Sequence, residues 1–432
     1  MKKAFSLFAL VLLLIGILAA CGPDAKEKTT TATPEKKDGT AASSMPAKPE
    51  KLVVWEDQKK AGWLKQVAAD FEKENGIKIE YKDIEMATKQ REQLRLDGPA
   101  GSGPDIVTLP HDQIGQLAVE GLLAPLTVDK KVTDSFTESS IKSQTYDGKL
   151  YGLPKSTETP VLIYNKKLVK EVPATMEDLY AKAKELTKGG QYGFLALFDN
   201  FYFAHAVIGG MGGYVFGEKD GKMDPSDIGL NNAGAVKGAE FIQKWYKEGL
   251  FPKGIIGENG GSTLDGLFTE GKAAFVMNGP WAFGPYKDAK VDIGVAPLPK
   301  FADGTPMKTF SGVKGWNVSA FSQNKEWATK FIEYITSAKV AKERYKQTFE
   351  IPPVKSLMQD PIIANNPEAK AVAAQSAVAV PMPNIPEMGQ VWQGMADNLQ
   401  TLVTGKAQPK EALDAAVKRI KSDIASTQSG SK

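Results

Sequence analysis

The feature that most constrains the fold is a strand–helix–strand pattern in residues 52–81. Residues 52–55 form a short apolar run, residues 63–74 carry apolar side chains at helical spacing, and residues 77–81 alternate apolar and polar side chains. Gly76 lies where the helix would end, and glycine readily adopts the left-handed conformation of a helix C-terminus. Because strands that alternate with helices favour a parallel sheet covered on both faces, the pattern predicts an α/β fold with a doubly wound sheet.

The same alternation continues through the rest of the chain. Apolar periodicity predicts further helices at 176–187, 233–248, 325–336, 388–404 and 409–424. It also predicts strands at 105–109, 161–164, 273–277, 293–296 and 316–321. The roughly 380 residues from Lys51 onward are enough, by the usual size of a domain, for two domains.

The first 20 residues have the pattern of a secretory signal peptide. Lys2 and Lys3 precede an apolar core at 5–18 that is too short to remain as a membrane-spanning helix. The core runs through Leu-Ala-Ala into Cys21, which resembles the lipobox of bacterial lipoproteins. The alternative is an ordinary signal peptide followed by an unrelated cysteine. We predict that Cys21 is lipidated and that the protein is retained on the extracytoplasmic face of the cell membrane. A diacylglyceryl group supplies two acyl chains, which anchor a protein stably, whereas a single chain binds the membrane only marginally.

A polar segment follows Cys21. Residues 22–50 are rich in Lys, Glu, Thr, Ala, Ser and Pro and contain no apolar run. Such a segment cannot offset its ordering entropy, so residues 21–50 are predicted to be a lipidated cysteine followed by a disordered tether. A flexible chain of roughly 30 residues reaches about 30 Å.

Composition excludes several classes of function. Without Lys2 and Lys3, 52 of the 54 basic residues remain against 51 acidic ones, and the charges are interspersed, so no nucleic-acid partner is expected. Cys21 is the only cysteine, which rules out an internal disulfide and a cysteine-rich metal site. The two histidines, His111 and His205, lack metal-ligand spacing, and no later stretch reaches 18 uninterrupted apolar residues. We expect no metal, no cofactor and no enzymatic activity.

Aromatic residues beside polar groups are the main candidates for a binding site. Trp281 closes an Asn-Gly-Pro-Trp turn after a predicted strand, where the ligand crevice of an open α/β sheet lies. Tyr202 and Trp392 also lie near polar residues or rigid proline-rich segments. A sugar ring has apolar faces and a rim of hydroxyls, which suits aromatic platforms with carboxylates at the edge. The alternative for each tryptophan is core packing, and it is the prediction for Trp245 and Trp327, which lie in amphipathic helices.

A series of motifs resembles the maltose/maltodextrin-binding proteins that serve ABC importers. The resemblance runs from about Lys51 to the C-terminal helix. Its landmarks include Gly-Pro-Asp-Ile at 103–106, His-Asp at 111–112, Tyr-Asp-Gly-Lys-Leu at 146–150, Leu-Ile-Tyr-Asn-Lys at 162–166, Gly-Gly-Tyr at 212–214, Asn-Gly-Pro-Trp-Ala at 278–282 and Met-Pro-Asn-Ile-Pro at 382–386. The Asn-Gly-Pro-Trp and Met-Pro-Asn-Ile-Pro elements, in this order and spacing, point to the maltodextrin branch.

The resemblance implies a two-lobe, periplasmic-binding-protein-like fold with a hinge and a ligand cleft between the lobes. The expected N-terminal lobe comprises 51–157 and 313–363, and the C-terminal lobe comprises 161–309 and 368–432. The hinge crossings are expected at 158–160, 310–312 and 364–367. Sugar binding would favour the closed arrangement over the open one.

The resemblance also carries the family's sugar contacts onto Asp112, Glu158, Tyr202, Trp281, Met382 and Trp392. The three aromatic rings would stack on sugar faces, and the two carboxylates would accept hydrogen bonds from hydroxyls. Asp112 has an alternative role as a helix N-cap before Gln113, and Glu158 could instead be a solvated hinge carboxylate. Glu56 and Lys59, in a stretch with an apparent deletion, are further candidate polar contacts.

Three single positions depart from the family pattern. Leu109 stands where well-known members carry a stacking tryptophan, Gln113 replaces an arginine, and Gln393 replaces a tyrosine. Trp316 could supply another platform or pack at the hinge. Such changes could shift the preferred glucan length or admit cyclic or bulkier oligosaccharides.

The resulting interpretation is a monomeric, non-enzymatic receptor that captures maltose and maltodextrins and delivers them to ABC permease subunits, with cyclodextrins as a further candidate ligand. Two alternatives stay open. The receptor could bind another oligosaccharide or a non-sugar solute, or the protein could be a surface glycoside hydrolase with Glu158 and Asp112 as its carboxylate pair.

Overall fold

The computed structural model of the protein describes residues 45–430, with side chains described to residue 427. The predicted signal peptide, Cys21 and residues 22–44 of the predicted tether lie outside the described residues. Within the described part, no helix combines the length and the apolarity that crossing a membrane requires.

The last residues of the predicted tether, 45–50, contact the folded part of the chain. The Trp327 indole nitrogen donates a hydrogen bond to the Pro46 carbonyl at 3.1 Å. The Lys78 N–H donates to the Glu50 carbonyl at 3.0 Å. The folded part therefore begins a few residues before the boundary expected from composition.

The described residues form two main sheets with helices around them. The strands are β1 Lys51–Glu56, β2 Lys78–Asp83, β3 Ile106–Pro110, β4 Leu123–Ala124, β5 Thr145–Tyr146, β6 Lys149–Leu150, β7 Gly152–Glu158, β8 Val161–Asn165, β9 Tyr192–Leu195, β10 Gly217–Lys219, β11 Lys222–Asp224, β12 Ala273–Asn278, β13 Ile293–Ala296, β14 Phe310–Ser319 and β15 Val380–Pro381. The helices are α1 Leu64–Asn75, α2 Lys89–Asp97, α3 Ile114–Val119, α4 Lys130–Asp134, α5 Glu138–Ser143, α6 Met176–Leu186, α7 Phe201–Gly210, α8 Ala233–Lys247, α9 Gly260–Thr269, α10 Phe283–Asp288, α11 Lys325–Thr336, α12 Ala338–Thr348, α13 Lys355–Met358, α14 Pro361–Ala364, α15 Pro367–Ser376, α16 Met388–Val403 and α17 Pro409–Gly430. Short 3-10 turns occur at Ala61–Trp63, His111–Gln113, Lys253–Ile255 and Pro280–Ala282.

The first sheet has the order β15-β14-β3-β1-β2, and β4 and β7 also pair with β14. Strand β1 is parallel to β2 and β3, whereas β14 is antiparallel to β3 and β7. The second sheet has the order β13-β8-β12-β9. There β8 is antiparallel to both neighbours, and β12 is parallel to β9.

The α/β class is confirmed, and β1, β2 and β3 are parallel as the strand–helix–strand pattern predicted, but neither sheet is parallel throughout. Both sheets contain parallel and antiparallel pairs, because the chain leaves the first sheet before all of its strands are formed and returns to it only after the strands of the second. Strand β7 of the first sheet is followed directly by β8 of the second, and β13 of the second is followed by β14 of the first. The first crossing delivers β8 antiparallel to both of its neighbours. The second delivers β14 antiparallel to β3 and β7, although β14 is parallel to β15.

Each sheet has its own buried core. Alternate residues of β1 and β3 face opposite sides of the first sheet, as the pleat requires: Leu52 and Val54 lie in one cluster, and Trp55 and Leu109 lie in another. The second sheet is covered by a larger cluster that includes Trp245. The prediction that Trp245 and Trp327 pack in the core is confirmed, since both are almost fully buried.

The long amphipathic helices lie close to their predicted positions. Helix α1 buries Leu64, Val67 and Phe71 on one face and ends at Gly76, whose φ of 70° places it in the left-handed region. Helix α6 begins with a capping box between Thr175 and its third residue. Helix α11 has the predicted bounds, whereas α17 extends to residue 430.

Candidate ligand-binding site

Four aromatic rings form a continuous row at the level where the chain passes between the two sheets. Tyr202 lies 6.1 Å from Trp281 and 6.3 Å from Phe310, measured between ring centroids. Phe310 in turn lies 5.7 Å from Trp392. We call Trp281, Tyr202, Phe310 and Trp392 the aromatic row. Its three predicted members are only partly buried, which leaves ring surface that a ligand could contact.

Four separate elements position the rings of the aromatic row. Tyr202 lies in the first turn of α7, where the Asn200 side chain accepts a hydrogen bond from the Tyr202 N–H at 3.0 Å. Trp281 lies in the turn after β12, and Trp392 lies in the first half of α16. Phe310 begins β14 and was not among the predicted site residues. No helix was predicted at α7.

Gly279 determines where the Trp281 indole can lie. A Cβ atom added to Gly279 would come within 2.0 Å of the indole ring, so any other residue at this position would displace it. The φ of Gly279 is −117°, which other residues also adopt. The requirement for glycine is therefore one of space and not of backbone conformation.

Asp112 lies at the Trp392 end of the aromatic row. Its carboxylate accepts a hydrogen bond from the Trp392 indole nitrogen at 2.9 Å and caps no helix, which removes the alternative of an N-cap. The carboxylate is 6% exposed, and burial raises its pKa to about 6 despite the hydrogen bond from Trp392.

Glu158 lies at the other end, where β7 ends. Its side chain is 12% exposed and its carboxylate pairs with the Lys314 ammonium at 2.8 Å, so it is not a solvated hinge residue. Burial raises the pKa of Glu158, while the charge of Lys314 opposes that rise. The Lys314 ammonium also lies 5.6 Å from the centroid of the Trp281 ring, which connects Glu158 to the aromatic row.

The hydroxyl of Tyr202 is influenced by the negative charges of both carboxylates. Burial and the negative charges of Glu158 and Asp112 raise the pKa of Tyr202 well above its usual range. Among the described residues, this buried hydroxyl has no hydrogen-bond partner. A buried donor without a partner is costly, and it is a group that a ligand hydroxyl could satisfy.

Met382 lies next to Glu158, directly after β15. A Cβ atom at Gly312 would lie 3.2 Å from the Glu158 Cγ and 3.3 Å from the Met382 Cε. The carbonyl of Met382 accepts a hydrogen bond of 3.0 Å from His111 Nε2. His111 Nδ1 accepts from the Val313 N–H at 3.1 Å, so the neutral ring joins β14 to the Met382 segment.

The structure places Glu56 away from the aromatic row, which corrects its assignment as a ligand contact. Glu56 is fully buried at the end of β1. Its carboxylate pairs with the Lys155 ammonium at 2.5 Å and accepts from the Trp63 indole nitrogen at 3.1 Å. These internal partners occupy the oxygens that a sugar hydroxyl would need.

Lys59 also differs from its expected role. It is exposed and has a positive φ of 61°, and its charge acts on Asp265. The neighbouring Lys60 instead donates to the Trp281 carbonyl at 3.4 Å. Burial lowers the pKa of Lys60. Lys60 is therefore the lysine of this stretch that lies at the site.

The departures from the family pattern fall outside the aromatic row. Leu109 and Trp316 are fully buried, and Trp316 packs 6.2 Å from Trp63, so neither supplies a platform. Gln113 donates to the Ala87 carbonyl at 2.6 Å. Across the part of the chain with described side chains, no group of three or more His, Cys, Asp or Glu residues is arranged to hold a metal ion.

Comparisons with known proteins identify the family to which the chain belongs. Residues 66–371 match the family described as bacterial extracellular solute-binding protein. A galactooligosaccharide-binding protein of Bacillus subtilis is 48% identical and covers 100% of this chain and 99% of its own. A maltodextrin-binding protein of Bacillus subtilis is 36% identical, with 98% of each chain covered.

Solved structures of sugar-binding proteins are also similar to this chain. A cyclo/maltodextrin-binding protein in complex with maltotetraose is 44% identical, with a TM-score of 0.74 over 88% of this chain and 99% of the other. A Streptococcus pneumoniae protein in complex with maltopentaose is 33% identical, with a TM-score of 0.80 over 86% and 100%. The family match spans most of the chain and the relatives match it from end to end, so this chain belongs to the family of bacterial extracellular solute-binding proteins.

Proposed function

We propose that the protein is a receptor that captures a neutral oligosaccharide and delivers it to an ABC importer. The observation that carries the proposal is the aromatic row with a buried carboxylate at each end. Aromatic rings match the C–H faces of successive sugar units, and carboxylates accept hydrogen bonds from hydroxyls at their edges. A row of rings suits a chain of sugars better than a single small solute.

Each residue of the site has a role in this proposal. Tyr202, Trp281 and Trp392 stack on sugar rings, and Met382 supplies an apolar contact beside them. Asp112 and Glu158 accept hydrogen bonds from sugar hydroxyls. Lys60 takes the polar role first assigned to Lys59, since its ammonium contacts the Trp281 turn.

Maltodextrins, cyclic forms included, are the leading ligands. Support comes from the Asn-Gly-Pro-Trp and Met-Pro-Asn-Ile-Pro motifs, and from solved relatives that hold maltotetraose and maltopentaose. Galactooligosaccharides are the second candidate. The relative of that name is more similar to this chain than the Bacillus subtilis maltodextrin-binding protein, at 48% against 36% identity.

The proposed mechanism is closure of two lobes on the sugar. The lobes are 51–157 with 313–363 and 161–309 with 368–432, joined by crossings at 158–160, 310–312 and 364–367. Supporting this division, the two main sheets have separate cores. A sugar held by groups from both lobes stabilises the closed state by its differential affinity for that state.

The proposed location is the outer face of the cell membrane. A diacylglyceryl group on Cys21 anchors the protein, residues 22–44 tether it, and the folded part acts as a monomer. Some relatives are named as solute-binding lipoproteins, which supports the anchor. The sugar site does not involve the cysteine, so Cys21→Ser should impair retention without changing sugar affinity.

Isothermal titration of the purified protein against maltose, maltotriose, longer dextrins, cyclodextrins and β-galactooligosaccharides tests the proposal. Saturable heat with a member of this panel is expected, and the strongest response identifies the sugar class. The absence of heat with every sugar would remove the proposed function.

Incubation with the same sugars separates a receptor from a hydrolase. In a hydrolase, one carboxyl group has a raised pKa and acts as the acid, while the other stays ionised. Here burial raises the pKa of Asp112 and the pKa of Glu158 alike. No shorter products are expected. Turnover that disappears in Glu158→Gln would favour the hydrolase.

A further inference from the structure

Five buried charged side chains of alternating sign form a chain that leads to the binding site. Lys155 lies 2.5 Å from Glu56 and 3.5 Å from Glu350, and Lys314 lies 3.2 Å from Glu350 and 2.8 Å from Glu158. The first four of these side chains, counted from Glu56, are 3% exposed or less, whereas Glu158 is 12% exposed. We call them the charge chain. Unpaired charges at such depth would be strongly unfavourable, so each depends on its neighbours.

Lys314 is the member of the charge chain that touches the aromatic row. It lies in the middle of β14, and its ammonium contacts three groups: the Glu158 carboxylate, the Glu350 carboxylate and the face of the Trp281 ring at 5.6 Å. An ammonium has three N–H donors directed to different sides, so these contacts restrain it. The Glu158 carboxylate is restrained in turn.

We propose that Lys314 is a positioning residue of the binding site, which fixes the Glu158 carboxylate beside the Trp281 ring, and that Glu350 holds Lys314 in place. The inference rests on the proposed function, because it takes Glu158 to be a ligand contact. It adds a residue that itself lies behind the ligand surface, since Lys314 is only 3% exposed.

The surroundings of the two carboxylates show why Lys314 matters to Glu158 in particular. The charges of Lys155, Lys314, Lys60 and Arg344 together hold the pKa of Glu350 well below its usual range. Glu158 has the cation Lys314 beside it but also faces the negative charges of Glu350 and Asp57. Two further site groups, Asp112 and Tyr202, interact with the charge of Glu158. Removal of Lys314 would therefore leave Glu158 among acidic groups.

The expected consequence is a pH-dependent loss of affinity. A Glu158 without its cation has a higher pKa, so at a given pH a larger fraction of it is protonated and accepts hydrogen bonds less strongly. In Lys314→Met, the dissociation constant of the sugar should rise about tenfold for each unit by which the pKa of Glu158 exceeds the pH of the measurement. The loss should shrink as the pH rises. A purely structural defect would weaken binding equally at each pH at which the protein stays folded.

The test is a titration of the tightest-binding panel sugar at several pH values between about 6 and 9, where acidic groups with ordinary pKa values stay charged. The unmodified protein, Lys314→Met, Glu158→Gln and the double variant Lys314→Met/Glu158→Gln are compared. The extra pH dependence should appear in Lys314→Met and vanish in the double variant, because glutamine does not titrate. A double variant as pH-dependent as Lys314→Met would overturn the proposal.

A second readout does not depend on sugar binding. The carboxyl carbon of Glu158, followed by nuclear magnetic resonance in ligand-free protein, should titrate at higher pH in Lys314→Met than in the unmodified protein. Equal titration would contradict the proposal even if no panel sugar binds, and a shifted titration without sugar binding would contradict only the proposed function. If Lys314→Met does not fold, Lys314→Met/Glu350→Gln removes one charge of each sign and permits the same comparison.

Discussion

Two tryptophans, Trp281 and Trp245, place the same side chain in opposite environments. Trp281 is partly buried in the aromatic row, whereas Trp245 is fully buried in the core around the second sheet. We expect Trp281→Ala to cost at least about 2 kcal/mol of binding free energy, as loss of an aromatic anchor does, with little change in stability. Trp245→Ala should instead lower the free energy of unfolding by about 3–5 kcal/mol and leave sugar affinity unchanged.

Calorimetric titration and urea unfolding of both variants measure the two quantities side by side. The assignment of Trp281 fails if Trp281→Ala is destabilised as much as Trp245→Ala. It also fails if sugar affinity survives the loss of the Trp281 indole.

Asp112 is a residue at which function and stability should oppose each other. Its pKa rises from 3.8 to about 6 on folding, so burial of the ionised carboxylate disfavours the folded state at pH 7. Asp112→Asn keeps an oxygen for the Trp392 indole and removes the charge. We expect this variant to be more stable than the unmodified protein at pH 7 by up to about 3 kcal/mol. Sugar affinity should fall roughly tenfold with loss of the charge-assisted acceptor.

The stability difference between Asp112→Asn and the unmodified protein should depend on pH in a direction that can be predicted. As the pH falls through about 6, the folded Asp112 becomes protonated, and the advantage of the asparagine variant should shrink until pH about 4. Urea unfolding at pH 7, 6, 5 and 4 measures it. A stability difference that stays constant across this range would show that burial does not raise the pKa of Asp112.

At the residue scale, sequence predicted the types of group in the site better than the role of each one. Tyr202, Trp281 and Trp392 do lie in one row, although residues 202 and 392 are far apart in the chain. Glu56 could not be excluded from the sequence, because a carboxylate at a strand end is normally exposed. Only the fold shows that Lys155 neutralises it. Phe310 gave no signal, since it precedes the predicted strand.

The turn that follows β12 is an element with a sharp requirement. A Cβ atom on Gly279 would collide with the Trp281 indole at 2.0 Å, so Gly279→Ala should displace the ring and weaken sugar binding about as much as Trp281→Ala. Gly266 in α9 is the matched control, because a Cβ atom there meets nothing within 4 Å. Gly266→Ala should leave affinity unchanged and stabilise the protein by about 0.5–1 kcal/mol, as replacement of a mid-helix glycine does. Titration of the two variants decides: equal affinities would show that the indole tolerates the added methyl group.

Two histidines beside β14 make that element sensitive to acid. Burial lowers the pKa values of His111 and His205 to about 4. The unfolded chain therefore binds more protons between about pH 6.5 and 4, and these groups make stability fall as the pH falls through that range. Asp112 acts in the opposite direction below pH 6. His205→Asn, which can still donate to the Lys308 carbonyl that His205 contacts at 2.8 Å, should reduce proton uptake on unfolding by about one.

Urea unfolding between pH 7 and 4 measures this proton uptake as the slope of the unfolding free energy against pH. The control is His205→Asn in the Asp112→Asn background, which should show the same reduction. An unchanged slope in His205→Asn would contradict a neutral, buried His205.

At the element scale, amphipathic helices could be predicted and uniformly buried ones could not. Helices α6, α8, α11 and α16 have one apolar face and lie within a residue of their predicted bounds. All residues of α7 except Tyr202 are buried, so its sequence has no helical period to detect. The first half of β14 was also missed. It contains Ser311, Gly312, Lys314 and Gly315, and such polar and glycine residues are not typical of a buried strand.

At the scale of the whole molecule, strand–helix alternation predicted the α/β class but not the mixed sheets. The direction of β8 and β14 depends on the chain passing between the sheets, and local periodicity carries no information on that path. The resemblance implied two lobes with crossings between them, but it did not predict the directions of these strands. The resemblance also pointed to three of the four rings of the aromatic row and to both of its carboxylates.

Ligand binding should stabilise the molecule as one unit. The described residues from Met45 onward cluster as a single compact unit, and groups around both sheets contact the aromatic row. A sugar that binds only the folded protein, at about 100 times its dissociation constant, should raise the free energy of unfolding by about 2.7 kcal/mol. Urea unfolding with and without the sugar measures this. Trp281→Ala should lose most of the gain at the same sugar concentration, and an equal gain in both proteins would place the sugar elsewhere.

The central claim is that an oligosaccharide lies along the aromatic row between Asp112 and Glu158. A crystal structure of the protein with the tightest-binding panel sugar tests it most directly. We predict sugar rings at van der Waals distance, about 4 Å, from the Trp281 and Trp392 indoles. Hydroxyls should lie within hydrogen-bond distance of both carboxylates. A sugar bound in contact with none of these four side chains would contradict the claim.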